Sequence, residues 1–159
     1  MISMEFGGGD GRRGLYNGAV LTIADHRRDI AGLTYVYPVV SRRAGGVSVG
    51  INLNVNNACN WACVYCQVEG LTRGGPPPVD VALLSEELDG FLARIADGDF
   101  FAREVPQESR KLVDVAFSGN GEPTSSPEFP AAVAAVRKVL AARGLAGTIL
   151  LRLITNGSL

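Results

Sequence analysis

The feature that most constrains the fold is an alternation of strand and helix patterns along residues 47–155. Val47–Val55 (VSVGINLNV) has apolar side chains at every second position, which is the period of a strand with one apolar and one polar face. The positions between them are polar or small: Ser48, Gly50, Asn52 and Asn54. Leu112–Phe117 (LVDVAF) predicts a second strand, and Thr148–Thr155 (TILLRLIT) predicts a third that is nearly continuously apolar, as in a buried parallel strand.

Two helix patterns separate these strands. The first follows Asp80, a suitable N-cap, has apolar residues at helical spacing over 84–95, and ends near Gly98. The second is predicted to begin at Ser126-Pro127 and to end near Arg143-Gly144. Strands that alternate with helices in this way form right-handed crossovers and a parallel sheet, so the sequence predicts an α/β fold.

The most unusual loops all follow predicted strands. They are residues 58–70 (ACNWACVYCQVEG), 118–124 (SGNGEPT) and 155–159 (TNGSL). Because the carboxyl ends of parallel strands lie on the same edge of a sheet, we expect the three loops to converge there.

All three cysteines of the chain, Cys59, Cys63 and Cys66, lie in the first of these loops with the spacing Cys-x3-Cys-x2-Cys. Thiolates suit iron–sulfur clusters and zinc. Three of them fill three corners of a four-iron cluster and leave one iron for a ligand from outside the protein. The alternatives are a zinc site completed by a fourth ligand and a plain packing role. The single histidine, His26, stands among charged residues and is expected at the surface.

Composition excludes several classes of protein. No run of about 18 apolar residues is present, so no transmembrane helix is expected, and the N-terminus lacks the apolar centre of a signal peptide. We therefore expect a cytoplasmic protein with reduced thiols, which argues against disulfides. The net charge of −1 gives no general basic field for nucleic acid.

Two motifs resemble those of a known superfamily. Cys59-x3-Cys63-x-Tyr65-Cys66, with an aromatic residue before the last cysteine, resembles the signature of radical S-adenosylmethionine (radical SAM) enzymes. Gly119–Pro123 (GNGEP) resembles their Gly-Gly-Glu motif, with Asn120 in place of the first glycine. The resemblance covers about residues 15–159. Within the superfamily it is to uncharacterised bacterial Fe–S oxidoreductases related to tRNA wyosine synthase-like proteins.

The resemblance implies a [4Fe-4S] cluster held by the three cysteines, with the amino and carboxylate groups of SAM on the open iron. Reduction of the cluster would cleave SAM to a 5′-deoxyadenosyl radical that abstracts hydrogen from a substrate. Tyr65 would lie beside the adenine, and Asn156 would contact SAM or form a plain turn. The SAM amino group would be met by the loop of Gly119, Asn120, Gly121 and Glu122.

The same resemblance implies the N-terminal half of a partial (βα)6 TIM-like barrel, with about three βα units. It also implies an external electron donor such as flavodoxin or ferredoxin. The substrate is unknown, and RNA is a candidate that the net charge does not favour. A non-catalytic Fe–S or zinc module and an inactive fragment remain the alternatives.

The chain divides into three parts. Residues 1–14 are Gly-rich and expected to be disordered, and residues 15–45 form an N-terminal extension with an extended piece at Thr34–Val40. Residues 46–159 form the radical SAM core, which looks truncated after its third strand. Residues 73–80 (RGGPPPVD) can only be a loop.

Polar residues of the predicted strands share one face of the sheet. Ser48, Asn52 and Asn54 lie on it in the first strand, and we expect Asp114 and Arg152 to point to the same side. Two interpretations stay open for this face. Either it lines a polar pocket beneath SAM, or its polarity only faces solvent or satisfies two charges in an Asp114–Arg152 ion pair.

Overall fold

A computed structural model describes residues 21, 32–41 and 45–158. The predicted disordered segment 1–14 and His26 lie outside the described residues. The elements, in chain order, are β1 (Val36–Ser41), β2 (Gly46–Ile51), α1 (Val81–Ala96), α2 (Asp99–Glu104), β3 (Leu112–Phe117), α3 (Phe129–Ala142) and β4 (Leu150–Leu153), with short 3₁₀ turns at Gln107–Ser109 and Pro123–Ser125.

The strands form one mixed sheet in the order β1-β2-β3-β4. β2, β3 and β4 are parallel, as predicted, while β1 pairs antiparallel with β2. β1 is the extended piece expected at Thr34–Val40. The α/β class is therefore confirmed, and over the described residues the sheet is open rather than closed into a barrel.

β2 is shorter than predicted, because asparagines take over the backbone bonding at its end. The strand stops at Ile51 instead of Val55. The Asn52 side-chain oxygen accepts from Asn54 N at 3.1 Å, and Asn57 N then donates to Asn54 O at 3.1 Å. Side chains that bond the neighbouring backbone in this way compete with a sheet ladder.

α1 begins as predicted. Oδ1 of Asp80 accepts from Ala82 N and Leu83 N, both at 3.0 Å, which satisfies two of the free N–H groups of the first turn. The helix ends at Ala96, and Gly98, with φ of 80°, separates it from α2. Gly98 thus occupies the left-handed position that glycine adopts without strain.

α3 begins later than Ser126-Pro127, where the sequence placed its start. Ser126 O accepts from Phe129 N at 3.0 Å and closes a turn, so the regular helix starts at Phe129. Pro130 lies in its first turn, where a missing N–H costs no helical bond. The prediction of a helix end near Arg143 is confirmed, since Arg143 is the C-cap.

β4 is shorter and more exposed than a buried parallel strand. It spans Leu150–Leu153 rather than 148–155, because Thr148 N and Ile149 N both donate to Leu145 O in the preceding turn. It pairs only with β3, at one edge of the described sheet. Leu150 and Leu153 are 55% and 42% exposed, so the prediction of burial was wrong.

The core lies on one face of the sheet. Buried side chains of α1, α2 and α3 join those of the strands in a single apolar cluster, which includes Val49 and Ile51 of β2 and Val115 and Phe117 of β3. Successive strand residues point to opposite faces. The residues that alternate with this cluster, among them Ser48 and Asp114, therefore lie on the other face, which we call the polar face.

Candidate functional site

The loops that follow β2, β3 and β4 contact one another at the carboxyl edge of the sheet. Asn120 N donates to the side-chain oxygen of Asn52 at 3.1 Å, joining the β3 loop to the end of β2. Asn156 N donates to Glu122 Oε2 at 2.8 Å, joining the β4 loop to the β3 loop. The Asn156 side-chain amide lies 3.6 Å from Cys63 Sγ. The predicted convergence of the three loops is thus present as direct contacts.

The cysteine segment, residues 59–66, runs from the interior to the surface. Cys59 is buried, with its N–H donating to Thr72 O at 2.9 Å, Cys63 is half-buried, and Cys66 is exposed. Cys66 N donates to Cys63 O at 3.0 Å, so the last two cysteines flank a tight turn. All three thiols are free of disulfides.

The three sulfurs are not gathered around a point. Within residues 21, 32–41 and 45–158, no three His, Cys, Asp or Glu side chains form a group close enough to hold a metal ion. The cysteines therefore share a loop and an edge of the sheet but not a common coordination sphere.

Asn57 closes the base of the loop that carries the cysteines. Its side-chain amide donates to Glu69 O at 3.1 Å and to Gly70 O at 2.8 Å. Its own carbonyl accepts from Thr72 N at 3.0 Å. Asn57 has a φ of 55°, a left-handed conformation that asparagine tolerates better than most residues. This loop-closing role of Asn57 was not predicted from the sequence, although the Asn-Asn pair directly before the cysteine loop is a signal that could have indicated it.

The two glycines of the β3 loop are required because asparagine side chains fill the space beside them. A Cβ on Gly119 would overlap the Asn52 side chain, and one on Gly121 would overlap the Asn54 side chain and the carbonyl of Ala58. Asn54 also donates to Ala58 O at 3.0 Å. Asn52 and Asn54, for which a pocket lining was one of the open interpretations, are buried at 5% and 1% exposure and position the neighbouring loops.

Glu122 is the buried charge at the centre of these contacts. Oε1 accepts from Thr124 N at 3.2 Å and from the hydroxyls of Thr124 and Thr155, each at 2.7 Å. Among the residues that the structure describes, Asn156 N is the one donor to Oε2. Burial raises the pKa of Glu122, but the hydrogen bonds from Asn156, Thr124 and Thr155 outweigh it and hold the pKa below its usual value. Glu122 is therefore ionised at neutral pH, and Oε2 has capacity for a further donor.

Tyr65 lies at the outer end of the cysteine segment and is 69% exposed. A hydrogen bond with Cys63 raises its pKa, with smaller contributions from burial and from the negative charge of Glu122. Tyr65 is thus near both the middle cysteine and the β3 loop, and its ring face is open to solvent.

The polar face carries a second set of contacts below this edge. Arg152 Nε donates to Asp114 Oδ2 at 2.6 Å, and Ser48 Oγ donates to Asp114 Oδ1. The prediction that Asp114 and Arg152 lie on the same side of the sheet is confirmed.

A cavity of about 520 Å³ lies at the opposite end of the sheet. It is lined by Leu112, at the amino end of β3, and by Asp89 and Arg143, which form an ion pair with distances of 2.6 and 2.7 Å. None of the predicted site residues lines it.

Among the helices that the structure describes, none is long and apolar enough to cross a membrane. Comparison with protein-family models, with curated proteins and with solved structures gave no significant match to this chain.

Proposed function

We propose that this chain is the cofactor-binding part of a radical SAM enzyme, with a [4Fe-4S] cluster and SAM held where the β2, β3 and β4 loops meet. The observation that supports it is the contact of Asn156 with both Cys63 and Glu122, which joins the cysteine segment to the loop of the Gly-Gly-Glu-like motif. Either motif alone is weak, since short Gly-rich and Cys-rich stretches occur in many proteins. Their connection through Asn156, at the carboxyl ends of the parallel strands β2, β3 and β4, is what a shared cofactor site requires.

The donor set fits the cluster in its chemistry. Three free thiols on one short segment are the soft ligands that iron–sulfur clusters use. The cysteine side chains are not arranged as ligands of one cluster, because Cys59 is buried and Cys66 is exposed. Ligation therefore needs a rearrangement of the cysteine segment that brings the three sulfurs together.

The chain's own residues would bind and orient SAM. Glu122 Oε2, ionised and with a single partner, would accept from the ammonium group, and the backbone of Gly121 would lie beside it. The exposed ring of Tyr65 would stack on the adenine. When bound, the cluster supplies the electron that cleaves SAM and starts hydrogen abstraction. An external reductant such as flavodoxin or ferredoxin would deliver that electron, and the substrate would lose one hydrogen atom to the 5′-deoxyadenosyl group, which is a one-electron oxidation of the substrate.

The direct test is anaerobic reconstitution of the chain with iron and sulfide. We expect about four irons bound per chain, a reduced EPR signal that changes when SAM is added, and formation of 5′-deoxyadenosine with dithionite. Cys66→Ser should lower iron binding severely. Val64→Ser is the matched control, because Val64 lies between Cys63 and Cys66, is fully exposed and offers no ligand.

Three results would count against the proposal. The first is a reduced signal unchanged by SAM, which would leave a non-catalytic Fe–S module. The second is zinc after aerobic purification with no iron uptake, which would indicate a zinc module. The third is undiminished iron binding by both Cys66→Ser and Val64→Ser, which would show that Cys66 is not a ligand and that the three-cysteine site is wrong.

A further inference from the structure

On the polar face, Ser48, Asp114 and Arg152 are joined by hydrogen bonds that run from the protein interior to the surface. The Asp114 side chain is 5% exposed, and its two oxygens are each bonded, one to Ser48 Oγ and one to Arg152 Nε. The Arg152 side chain is 49% exposed. A buried carboxylate thus fixes the direction of an arginine whose outer part reaches solvent.

The outer nitrogens of Arg152 remain available. Among the described residues, the hydrogen bond from Nε to Asp114 is the one that the Arg152 guanidinium makes. Its two Nη groups keep their N–H donors in the plane of the guanidinium, a fork that matches the oxygens of a phosphate or a carboxylate. Because Asp114 already orients the guanidinium, an incoming oxyanion does not have to order a free side chain.

The position of Arg152 relates it to the proposed cofactor site. Arg152 lies in β4, and Asn156 lies four residues later in the loop that follows this strand. Asn156 contacts Cys63. Four extended residues span at most ~14 Å. A ligand held at Arg152 can therefore extend along the polar face and present another of its atoms at the edge where the three loops meet.

We propose that Arg152 recognises an oxyanion, a phosphate or carboxylate, on the substrate of the proposed radical SAM reaction, with Asp114 and Ser48 as its positioning residues. That the oxyanion belongs to a substrate rests on the proposed function. The anion site itself rests only on the geometry of the polar face, so it can be tested without a cluster or SAM.

The test is titration of the full, metal-free chain with phenyl phosphate and, separately, with benzoate, followed by ¹H–¹⁵N NMR at the arginine Nε–H resonances. We expect saturable shifts at Arg152 with one of the two probes, and the probe that binds more tightly identifies the oxyanion. Arg152→Gln should weaken binding at least tenfold, and Arg152→Lys should weaken it less because it keeps the charge. Arg103→Gln is the matched control, since Arg103 pairs with Asp99 on the solvated surface of α2.

The outcomes separate cleanly. Shifts absent at Arg152 with both probes, or equal loss of affinity in Arg103→Gln and Arg152→Gln, would overturn the anion site. If Arg152→Gln fails to fold, the wild-type shifts and Arg152→Lys still decide. Failure to bind iron with intact anion binding would refute the proposed function and leave an anion site, while the converse would refute only the anion site.

Discussion

At the scale of single residues, the edge of the sheet is held by asparagines together with Glu122 of the Gly-Gly-Glu-like motif. Asn52 and Asn54 occupy the volume next to Gly119 and Gly121, and Asn57 closes the cysteine loop. Each asparagine bonds backbone groups that a strand or helix would otherwise satisfy, and Asn52 and Asn54 are buried with these hydrogen bonds made.

The overlap beside Gly121 predicts a local effect of substitution. Gly121→Ala should lower the free energy of unfolding by about 1–3 kcal/mol, because its Cβ would displace Asn54 or the Ala58 carbonyl. Gly75→Ala is the control, since a Cβ there meets nothing within 4 Å. Urea denaturation measures both, and equal stability of the two variants would show that the β3 loop yields without strain.

Glu122 predicts a dependence of stability on pH. Its pKa is lowered on folding, so its contribution is present above the ordinary value of 4.5 and is lost as the pH falls through the lower, folded pKa. Glu122→Gln should therefore destabilise the chain by about 1–3 kcal/mol at pH 7, and the difference from wild type should shrink below pH ~4.5. Denaturation curves at several pH values check this. A difference that stays constant down to pH 3 would show that the charge is not the cause.

At the scale of elements, periodicity and capping signals predicted β2, β3, β4, α1 and α3 but not the short helix α2, and side-chain bonding set where the elements end. The range of β3 and the start of α1 followed from the sequence, because Leu112–Phe117 pairs on both sides and Asp80 caps its helix. The ends of β2 and the start of α3 did not follow, because Asn52 and Ser126 redirect the chain through contacts that alternation does not encode. The asparagine roles at the site could not be predicted for the same reason, since they depend on which loops meet.

The hydrogen bonds by which Asn57 closes the loop of residues 58–72 can be tested by substitution. Asn57→Gly keeps a residue that adopts the positive φ but removes the donors to Glu69 O and Gly70 O. We expect faster amide hydrogen exchange over 59–72 and unchanged exchange in β3. Asn60→Gly is the control. Among the described residues, Asn60 makes its hydrogen bond through the backbone carbonyl, which accepts from Arg73, so the substitution removes no side-chain hydrogen bond. Unchanged exchange over 59–72 would mean that backbone bonds alone close the loop.

At the scale of the whole molecule, the sheet separates an apolar face covered by helices from a polar face, and it leaves β4 at one edge. The α/β class and the parallel order of β2, β3 and β4 were predictable, since both follow from alternating patterns and crossover handedness. The exposure of β4 was not predictable. An apolar sequence shows that a strand could be buried, but it does not show which elements pack beside that strand. Leu150, Leu153 and Ile154 are all exposed there.

That edge predicts self-association of the isolated chain. An exposed apolar edge strand offers unpaired backbone groups to a second strand. Sedimentation velocity should show a concentration-dependent larger species, which Ile154→Lys reduces because a charge on the edge opposes pairing. Val64→Lys, at an even more exposed apolar site on the cysteine segment, should leave the association unchanged. Equal effects of the two substitutions would place the contact elsewhere.

The close approach of Gly121 to Asn54 has a consequence for evolution. The two positions share one volume, so each restricts what the other can become. A homologue with a side chain at position 121 should carry a smaller residue at position 54, and one that keeps asparagine at 54 should keep glycine at 121. The glycine of the motif would then be preserved by a neighbour sixty-seven positions earlier in the chain as much as by any ligand.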